Sequence, residues 1–441
     1  MMRDANAARY GRCNDLGIIA AMHPGALIEL TTSLLQAVLR LDQPADRIVS
    51  AFFKSHRALG PRERHTLAET AYTVLRRRLQ LQHLAQSGVG PLERRLALLA
   101  WQGDQDYLRR GTTAQESAWL SDVQRIDLAS LPDKLKHNLP EWVAAPLQSE
   151  LGPAGFWALV ASLDQPAPLD LRVNVLKTRP EDAARALADA GVSSQPTAYS
   201  PWGLRVQGKP ALTRIPAFVQ GEIEVQDEGS QLLALLTGAA RGEMVVDFCA
   251  GAGGKTLALG AMMRNTGRLY AFDTSDHRLA ALKPRLARSG LSNVHPVRIA
   301  HERDDRIRRL EGKIDRVLVD APCSGLGTLR RNPDLKWRQS PESVRELCDL
   351  QARILASAAR LLRPGGRLVY GTCSLLRAEN EEIARAFEQA QATQFEPVPV
   401  AQILAEARVT SGQMLVSGEA LRTWPHLHQT DGFFASVWRK R

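Results

Sequence analysis

Residues 245–256 are the part of the sequence that most constrains the fold. An apolar run ends in the acid Asp247, and a glycine-rich turn from Cys249 to Gly254 then leads into helix-forming residues. This order is typical of a β-strand that passes through a tight loop into the N-terminus of a helix. Such junctions bind nucleotides, because glycines let the backbone approach a ligand and the helix N-terminus directs amide groups toward it. The stretch therefore predicts an α/β domain with a nucleotide-like ligand.

The spacing within this stretch argues against two familiar nucleotide motifs. A phosphate-binding loop that ended at Gly254-Lys255-Thr256 would need a glycine in place of Cys249. A dinucleotide motif would need its third glycine in place of Thr256. A second apolar run ends at Asp273, roughly 20 residues beyond the turn, where a ribose-binding carboxylate is expected. S-adenosylmethionine fits this pattern, because it carries a ribose but no phosphate; the alternative is an ordinary strand, turn and helix.

Strands and helices alternate through the second half of the chain. Strands are predicted at 245–247, 269–273, 294–299, 314–320 and 367–371, and helices at 278–289 and 340–362. This alternation predicts a doubly wound, mostly parallel, Rossmann-like sheet. Ligands of such sheets lie beyond the C-terminal strand ends, so we expect Asp247, Asp273, Asp320 and Cys373 to share one cleft.

The length of 441 residues exceeds that of a single domain. We predict an N-terminal extension over 1–25 with little fixed structure, within which Met22 is an alternative start. Amphipathic helices at 26–41, 48–53, 61–85 and 91–101 indicate an all-helical domain over 26–130. Residues 131–220 are predicted to form a linker and a small α/β lobe, and residues 221–441 the domain with the large sheet.

The charge balance indicates a polyanionic partner. A net charge of +10 favours a nucleic acid once a catalytic domain is present. Arg76-Arg77-Arg78 with Arg94 and Arg95 are candidates for an RNA-facing patch, and a solvated helix face is the alternative.

The cysteines are odd in number and lie far apart, with no C-x-x-C pair. Neither a disulfide framework nor a metal site is expected, and a reducing cytoplasm is the natural compartment. No apolar run approaches the roughly 20 residues that span a bilayer. We therefore expect a cytoplasmic protein without membrane contact, and we expect it to be a monomer.

Two cysteines, Cys323 and Cys373, each follow a predicted strand of the sheet. Cys13, Cys249 and Cys348 are interpreted as structural. A thiol beside a methyl donor has a chemical use: carbon 5 of a pyrimidine is a weak nucleophile until a thiolate adds to carbon 6. The thiolate requires an electropositive pocket. Asp320 is placed to hydrogen-bond the ring at nitrogen 3.

Several motifs together resemble the RsmB/Nop (Fmu/Sun) family of RNA cytosine-5 methyltransferases. They are Cys249 to Thr256, Asp320 to Gly325, Arg331 to Asp334, Thr372 to Ser374, Gln226-Asp227 and Asp431 to Phe434. The resemblance covers about residues 130 to 441. It implies that the small lobe, which contains Arg172 and Asn174, is an RNA-binding lobe similar to an RNA recognition motif. The helical domain resembles the NusB-like RNA-binding domain of the RsmB branch.

The resemblance implies that Cys373 is the nucleophile and that Cys323 assists proton removal and product release. It also implies which residues contact S-adenosylmethionine: Cys249, Ala250, Gly251, Ala252, Gly253, Gly254, Lys255, Asp273 and Asp320. Two departures stand out. Gly251-Ala252 replaces the usual Ala-Pro, and His301 occupies the place of an acid expected at the adenine, for which Asp304 or Asp305 could substitute after a local shift.

The interpretation is an enzyme that methylates carbon 5 of a cytosine in structured RNA, with ribosomal RNA expected as the substrate. Transfer RNA is an alternative substrate. Two further hypotheses are a DNA cytosine-5 methyltransferase, which would use Cys323 as nucleophile, and a non-catalytic RNA-binding assembly factor. Arg330, Arg331, Lys336 and Trp337 are predicted to line the substrate channel, unless they form a basic surface loop.

Overall fold

Helices alone form the N-terminal part of the computed structural model, which describes residues 22–441. Cys13 and most of the predicted extension lie outside the described residues. The helices are α1 (Pro24–Val38), α2 (Ala45–Ser55), α3 (Pro61–Arg76), α4 (Arg78–Leu84), α5 (Leu92–Leu99), α6 (Gln105–Gly111) and α7 (Ala114–Gln124). Their apolar faces enclose a core that includes Leu34, Leu67 and Leu96. The prediction of an N-terminal helical region is confirmed, but the single helix expected over 61–85 is broken at Arg77, whose backbone is not helical.

Two further helices connect this region to the rest of the chain: α8 (Asp133–His137) and α9 (Glu141–Leu163). The first part of the segment predicted as linker and lobe over 131–220 is therefore helical. Segment α9 consists of two helical halves that meet at Gly152, where φ is 65°. Pro153 then occupies the first turn of the second half. The N–H groups of a first helical turn have no acceptor within the helix, so a proline, which lacks an N–H, loses no hydrogen bond there. Gly152 and Pro153 therefore redirect the helix and do not end it.

A small four-stranded antiparallel sheet follows. Its elements are β1 (Leu169–Val173), α10 (Pro180–Asp189), β2 (Ser194–Pro196), β3 (Gly203–Val206), α11 (Pro216–Val219) and β4 (Ile223–Val225). The strand order is β2-β3-β1-β4. Alternate residues of β1, including Leu171 and Val173, pack on α10 and form a separate core with Leu187 and Ile223. These strands and helices form a small α/β lobe, as predicted within residues 131–220.

The large sheet contains the remaining strands, β5 to β13, and helices cover both of its faces. The elements are α12 (Glu228–Leu236), β5 (Met244–Asp247), α13 (Gly254–Met262), β6 (Arg268–Asp273), α14 (Asp276–Ser289), β7 (Val294–Arg298), α15 (Asp305–Arg308), β8 (Ile314–Asp320), α16 (Leu335–Arg338), α17 (Pro341–Leu361), β9 (Leu362–Thr372), α18 (Glu381–Gln391), β10 (Phe395–Pro397), α19 (Val400–Glu406), β11 (Val416–Ser417), β12 (Ala420–Thr423), α20 (Pro425–His428) and β13 (Phe433–Lys440).

The strand order of the large sheet is β11-β12-β13-β9-β8-β5-β6-β7, and β10 pairs with the outer side of β13. Strands β5 to β9 are parallel, which confirms the predicted doubly wound sheet. The C-terminal strands add to it in antiparallel fashion. Strand β9 starts earlier than predicted, because a register shift opposite Ile314 to Arg316 accommodates the Pro364-Gly365-Gly366 turn within the strand.

The chain leaves β5 toward β6 and β7 on one side and returns to β8 and β9 on the other. This reversal opens a crevice at the carboxyl ends of β5 and its neighbours, where ligands of doubly wound sheets bind. Across residues 22–441, the helices lack the length and apolar content required to cross a bilayer.

Candidate active site

A cavity of about 840 Å³ lies in this crevice. Its volume is within the range of small-molecule and cofactor sites. Most of the predicted site residues line it: Cys249, Ala250, Gly251, Ala252, Gly254, Lys255, Asp273, His301, Asp320, Cys323 and Cys373. Gly253 does not line the cavity, and neither does the strand-end acid Asp247.

The loop between β5 and α13 needs glycine at two positions for different reasons. At Gly253, φ is 84° and a Cβ would collide with Leu282, so both the backbone conformation and the packing beneath the turn require glycine. At Gly251, φ is 57° and a Cβ would meet no atom within 4 Å. The backbone of Gly251 therefore faces open space in the cavity, where a ligand can approach it closely.

Asp247 lies under the loop, fully buried. Its Oδ2 accepts a hydrogen bond from Thr256 Oγ1 at 2.7 Å, whereas its Oδ1 is buried without a partner. Burial raises the pKa of Asp247 to about 7. The expectation that Asp247 shares the ligand cleft was wrong, because the chain turns over it; Asp247 anchors the start of α13.

Asp273 lies at the end of β6 and lines the cavity. Its Oδ2 accepts the N–H of Gly251 at 2.8 Å, and its Oδ1 accepts the N–H of Ser275 at 2.8 Å. A carboxylate offers about four lone-pair sites, so Asp273 can orient the glycine loop and still accept bonds from a ligand hydroxyl. This is the arrangement expected of a ribose-binding acid.

Apolar side chains beside His301 form a wall of the cavity: Phe248, Ile299, Leu350 and Ile354. His301 itself accepts a hydrogen bond from the N–H of Arg303. Asp304 caps α15 by accepting from Ala300 and Arg306, and Asp305 pairs with Arg308. Neither acid lines the cavity, so neither replaces the missing acid. The apolar wall was not predicted from the sequence, although Leu350 and Ile354 lie one helical turn apart on α17.

The lining suits S-adenosylmethionine. It offers an apolar wall for a flat base, the carboxylate of Asp273 for a ribose, and open space at Gly251. The Gly251 to Gly254 turn lacks the spacing of a phosphate loop, which agrees with a cofactor that carries no phosphate.

The two predicted catalytic cysteines meet at the other end of the cavity. Cys323 Sγ and Cys373 Sγ are 3.4 Å apart, and both residues are half-buried free thiols. Their strands, β8 and β9, are parallel neighbours, so their carboxyl ends lie side by side. The hydrogen bond with Cys373, together with burial, raises the pKa of Cys323 well above its usual range. Cys323 is therefore held in its protonated form.

Lys255 is a cation that lines the cavity together with the thiol pair. Its Nζ lies 2.7 Å from Asp320 Oδ2 and 5.6 Å from the centre of the Phe433 ring. Burial opposes the charged form of Lys255, but the charges of Asp320 and Cys373 outweigh it and raise the pKa of the ammonium. Lys255 thus stays charged between the acid at the end of β8 and the thiol at the end of β9.

Glu379 holds the two cysteine loops together and was not predicted from the sequence. Its side chain is fully buried. One oxygen accepts the N–H of Ser324 and the amide of Gln351, and the other accepts the hydroxyls of Ser324 and Ser374. Each serine directly follows one of the cysteines. A single carboxylate therefore fixes the distance between the two thiols.

Arg331 lines the cavity, as predicted for the substrate channel, and bonds Asp227 and Asp431. The other three residues of that prediction do not line it. Arg330 is buried and donates to the carbonyl of Thr430. Lys336 and Trp337 point to the helical domain, where they donate to the carbonyls of Arg76 and Leu75. The loop that carries Lys336 and Trp337 therefore connects the large-sheet domain to the helical domain.

The arginines predicted as an RNA-facing patch make internal contacts. Arg76 donates to Arg330 O, Arg77 binds Asp164, and Arg78 lies over the Trp337 ring. Arg94 pairs with Glu116 and Glu29, and Arg95 donates to carbonyls of its own domain.

Arg172 and Asn174 of the small lobe are also buried. They bond Gln226 Oε1 and the carbonyls of Gly221 and Ser289. These contacts fix the lobe against the large sheet.

The parallel sheet, the cleft at its reversal point and the lining of that cleft define an S-adenosylmethionine-dependent methyltransferase. Comparison of the sequence with known families identifies one group of these enzymes. Residues 234–439 match the family described as 16S rRNA methyltransferase RsmB/F, and residues 139–213 match its ferredoxin-like domain. The probable ribosomal RNA small subunit methyltransferase B of Synechocystis sp. is 35% identical over 76% of this chain and 73% of its own length. The chain belongs to the RsmB/F methyltransferase family.

Solved structures extend the likeness to the whole described architecture. The crystal structure of PH0851 is 26% identical, with a TM-score of 0.77, over 95% of this chain and 99% of its own. A methyltransferase homolog protein from Pyrococcus horikoshii is 27% identical, with a TM-score of 0.60, over 72% of this chain and all of its own.

Proposed function

We propose that the protein methylates carbon 5 of a cytosine in small-subunit ribosomal RNA, with Cys373 as the nucleophile. The observation that carries this proposal is the pair of thiols 3.4 Å apart beside the cofactor cavity. Methylation of an exocyclic amino group or of an oxygen needs no thiol, whereas methylation of a pyrimidine carbon does. The relatives named as ribosomal RNA small subunit methyltransferases support the choice of RNA.

The two cysteines divide the reaction between them. The Cys373 thiolate forms a bond to carbon 6 of the cytosine, and the ring electrons move to carbon 5 and nitrogen 3. S-adenosylmethionine, when bound, would supply an electrophilic methyl group, and carbon 5 would bond to that methyl carbon as its bond to the sulfonium sulfur breaks. Because Cys323 is held as a thiol, it assists the next step by hydrogen-bonding a water molecule that takes the proton from carbon 5. The carbon 5–carbon 6 double bond re-forms as the bond between carbon 6 and Cys373 breaks, which restores a free thiolate.

Lys255 and Asp320 support the first step. Lys255 places a positive charge near Cys373, where it can stabilise the negative charge that spreads over the ring in the adduct. Asp320 uses one carboxylate oxygen to bind Lys255, and its other oxygen is left to accept a hydrogen bond from the cytosine amino group beside nitrogen 3. The target base must leave its stack to enter the cleft. Arg278 also lines the cavity and is a candidate contact for the RNA backbone.

The proposal is tested by trapping the covalent intermediate. Wild-type protein, Cys323→Ala and Cys373→Ala are each incubated with S-adenosylmethionine and either a 16S rRNA transcript or bulk transfer RNA, and denaturing gels are run. We expect Cys323→Ala to accumulate an rRNA adduct because it cannot release the product. Cys373→Ala should form no adduct and transfer no methyl group. Sequencing of the trapped RNA identifies the cytosine.

The same experiment separates the competing hypotheses. An adduct formed by Cys373→Ala and not by Cys323→Ala would assign the nucleophile to Cys323, as in DNA cytosine-5 methyltransferases. Adducts with transfer RNA alone would change the substrate. Wild-type protein that transfers no methyl group to either RNA, and that binds no S-adenosylmethionine in calorimetry, would favour the assembly-factor function.

A further inference from the structure

A second cavity, of about 230 Å³, lies where the helical domain meets α8, α9 and α16. Cationic and hydrogen-bonding groups dominate its polar lining: Arg76, Arg77, Gln80, Lys136, His137, Asn138 and Lys336. Asp164 is the one carboxylate among the lining residues. It accepts two hydrogen bonds from Arg77, so its charge is already compensated within the cavity wall.

Lys336 is the most unusual of these residues. Its side chain is only 5% exposed, and its ammonium donates one hydrogen bond, to Arg76 O at 2.8 Å. An ammonium carries three donors, and within the described residues Lys336 forms no ion pair; its Nζ lies 5.0 Å from the centre of the Trp337 ring. Burial and the neighbouring Arg76 lower the pKa of Lys336 to about 7, and the charge of Asp164 opposes them more weakly. A buried cation whose neighbouring acid is already paired with another residue destabilises a fold unless a ligand compensates it.

Other groups around Lys336 are also free to donate. Arg76 uses one guanidinium nitrogen to bond Arg330 O, while its Nε is buried without a partner. His137 accepts the N–H of Leu139 at Nδ1, which leaves its ring proton on Nε2. Lys136 is 31% exposed at its side chain and pairs with Asp133, which is exposed. The cavity therefore has a buried floor with free donors and a cationic rim that reaches solvent.

We propose that this cavity binds a phosphate group of the RNA backbone, with Lys336 and Arg76 as the residues that contact it. A phosphate oxygen fills the missing acceptor positions and compensates the buried charge. The site rests on the proposed RNA substrate and extends it. Arg331 in the active-site cleft and Lys336 in this cavity are five residues apart, a separation of at most about 18 Å. An RNA strand that enters the cleft can therefore present a neighbouring phosphate to Lys336.

The test compares Lys336→Met with Lys134→Met in the full-length protein. Both variants replace one ammonium group with an apolar side chain, but Lys134 is exposed on α8 and does not line the cavity. Affinity for a 16S rRNA transcript is measured by fluorescence anisotropy over a series of KCl concentrations. We expect Lys336→Met to bind about tenfold more weakly, as for a lost hydrogen bond to a charged group. The slope of log affinity against log salt should fall by about 0.7–0.9, equivalent to one phosphate contact.

Thermal unfolding adds a readout that a structural lysine would not give. Lys336→Met should unfold at the same temperature as wild type or higher, because it removes a buried ammonium that forms no ion pair within the described residues. A lower unfolding temperature with unchanged RNA affinity would overturn the proposal, since Lys336 would then serve the fold alone. Equal RNA affinity losses in the Lys336 and Lys134 variants would also overturn it. If Lys336→Met fails to fold, Lys136→Met at the rim takes its place, and an unchanged salt slope there overturns the proposal.

Inorganic phosphate distinguishes the two sources of a phosphate group. If it raises the unfolding temperature of wild type while Lys336→Met binds the transcript normally, the cavity is a site for free phosphate and the proposal for RNA is wrong. The proposed function fails separately: wild-type protein that binds the transcript but does not methylate it would contradict cytosine methylation and leave the binding comparison interpretable.

Discussion

The two ends of the cleft are held in place by different kinds of interaction. At the cofactor end, backbone groups and one strand-end acid define the loop: Gly251 donates to Asp273, and Gly253 turns the chain. At the cysteine end, the positions of Cys323 and Cys373 depend on the buried side chain of Glu379, which is 55 residues from Ser324. The residues that define the cofactor end lie within a short stretch of sequence. Those that define the cysteine end come together only when the sheet forms.

This difference predicts how each end responds to substitution. Backbone-defined loops tolerate most side-chain changes outside their glycines, since the hydrogen bonds come from the main chain. A buried side-chain network loses several bonds when one member is removed, because each unsatisfied group keeps its desolvation cost. We therefore expect the largest effects at the cysteine end.

Glu379→Ala should have the largest effect. It leaves Ser324, Ser374 and Gln351 without their shared acceptor, which we expect to cost about 3–5 kcal/mol of unfolding free energy. Glu379→Gln keeps the shape and should cost about 1–3 kcal/mol. Urea denaturation measures both values, and trapping gels with the Gln variant report thiol placement. A change in Glu379→Ala no larger than at an exposed glutamate such as Glu342 would contradict the network.

Lys255→Met should slow methyl transfer by about tenfold to a hundredfold, because the cavity loses the cation that lies between Asp320 and Cys373. Lys255→Arg, the matched control, keeps the charge and should keep most of the wild-type rate. Rates of methyl transfer to the 16S rRNA transcript measure both effects. A Met variant as fast as wild type would show that the charge of Lys255 does not act in the reaction.

Asp247→Asn should stabilise the protein in a pH-dependent way. The pKa of Asp247 is raised from its usual value to about 7, so the folded state binds more protons than the unfolded state between about pH 4 and 7. Its favourable contribution is therefore lost as pH rises through about 7. We expect Asp247→Asn to gain about 1–3 kcal/mol over wild type at pH 8 and little at pH 4. Denaturation at both pH values checks this, and a constant difference would show that Asp247 does not titrate.

The smallest effects, about 1–2 kcal/mol, are expected from alanine in the glycine loop, and they should separate into two kinds. Gly253→Ala forces a left-handed backbone against Leu282, so thermal unfolding should detect it. Gly251→Ala places its methyl group in the cavity, so calorimetry should detect weaker binding of S-adenosylmethionine with a smaller loss of stability. The reverse pattern would mean that the ligand contacts the loop at Gly253.

The sequence predicted the elements whose information is local. Apolar runs that end in Asp273 and Asp320 identified parallel strands, and the glycine turn identified the cofactor end. Helix α9 was missed because Gly152 and Pro153 resemble a helix stop when read without their tertiary contacts. Glu379 was missed because it lies among charged residues that resemble an exposed helix start. Its burial depends on β9 and α17, which pack around it only in the fold.

The other features that the sequence did not predict also depend on contacts between distant parts of the chain. Strands β11 and β12 form a short hairpin, but β13 pairs with β9 across more than 60 residues, with Phe434 opposite Thr372, so its place in the sheet is not visible in any one segment. Lys336 and Trp337 follow the Pro322-Cys323 loop and were placed in the substrate channel by proximity in sequence. Their direction is set by an interface with a domain more than 200 residues away.

The interface between the helical domain and the large-sheet domain also limits how the two domains can be exchanged between genes. Trp337 belongs to the methyltransferase half of the chain but packs with the core of the helical domain, and its indole donates to Leu75 O at 2.6 Å. Recombination that replaced the helical domain with an unrelated one would leave Trp337 and its neighbour Lys336 exposed on the surface. We therefore expect the two halves of the gene to be inherited together. Grafting a foreign RNA-targeting module onto the methyltransferase half would require redesign of residues 335–338.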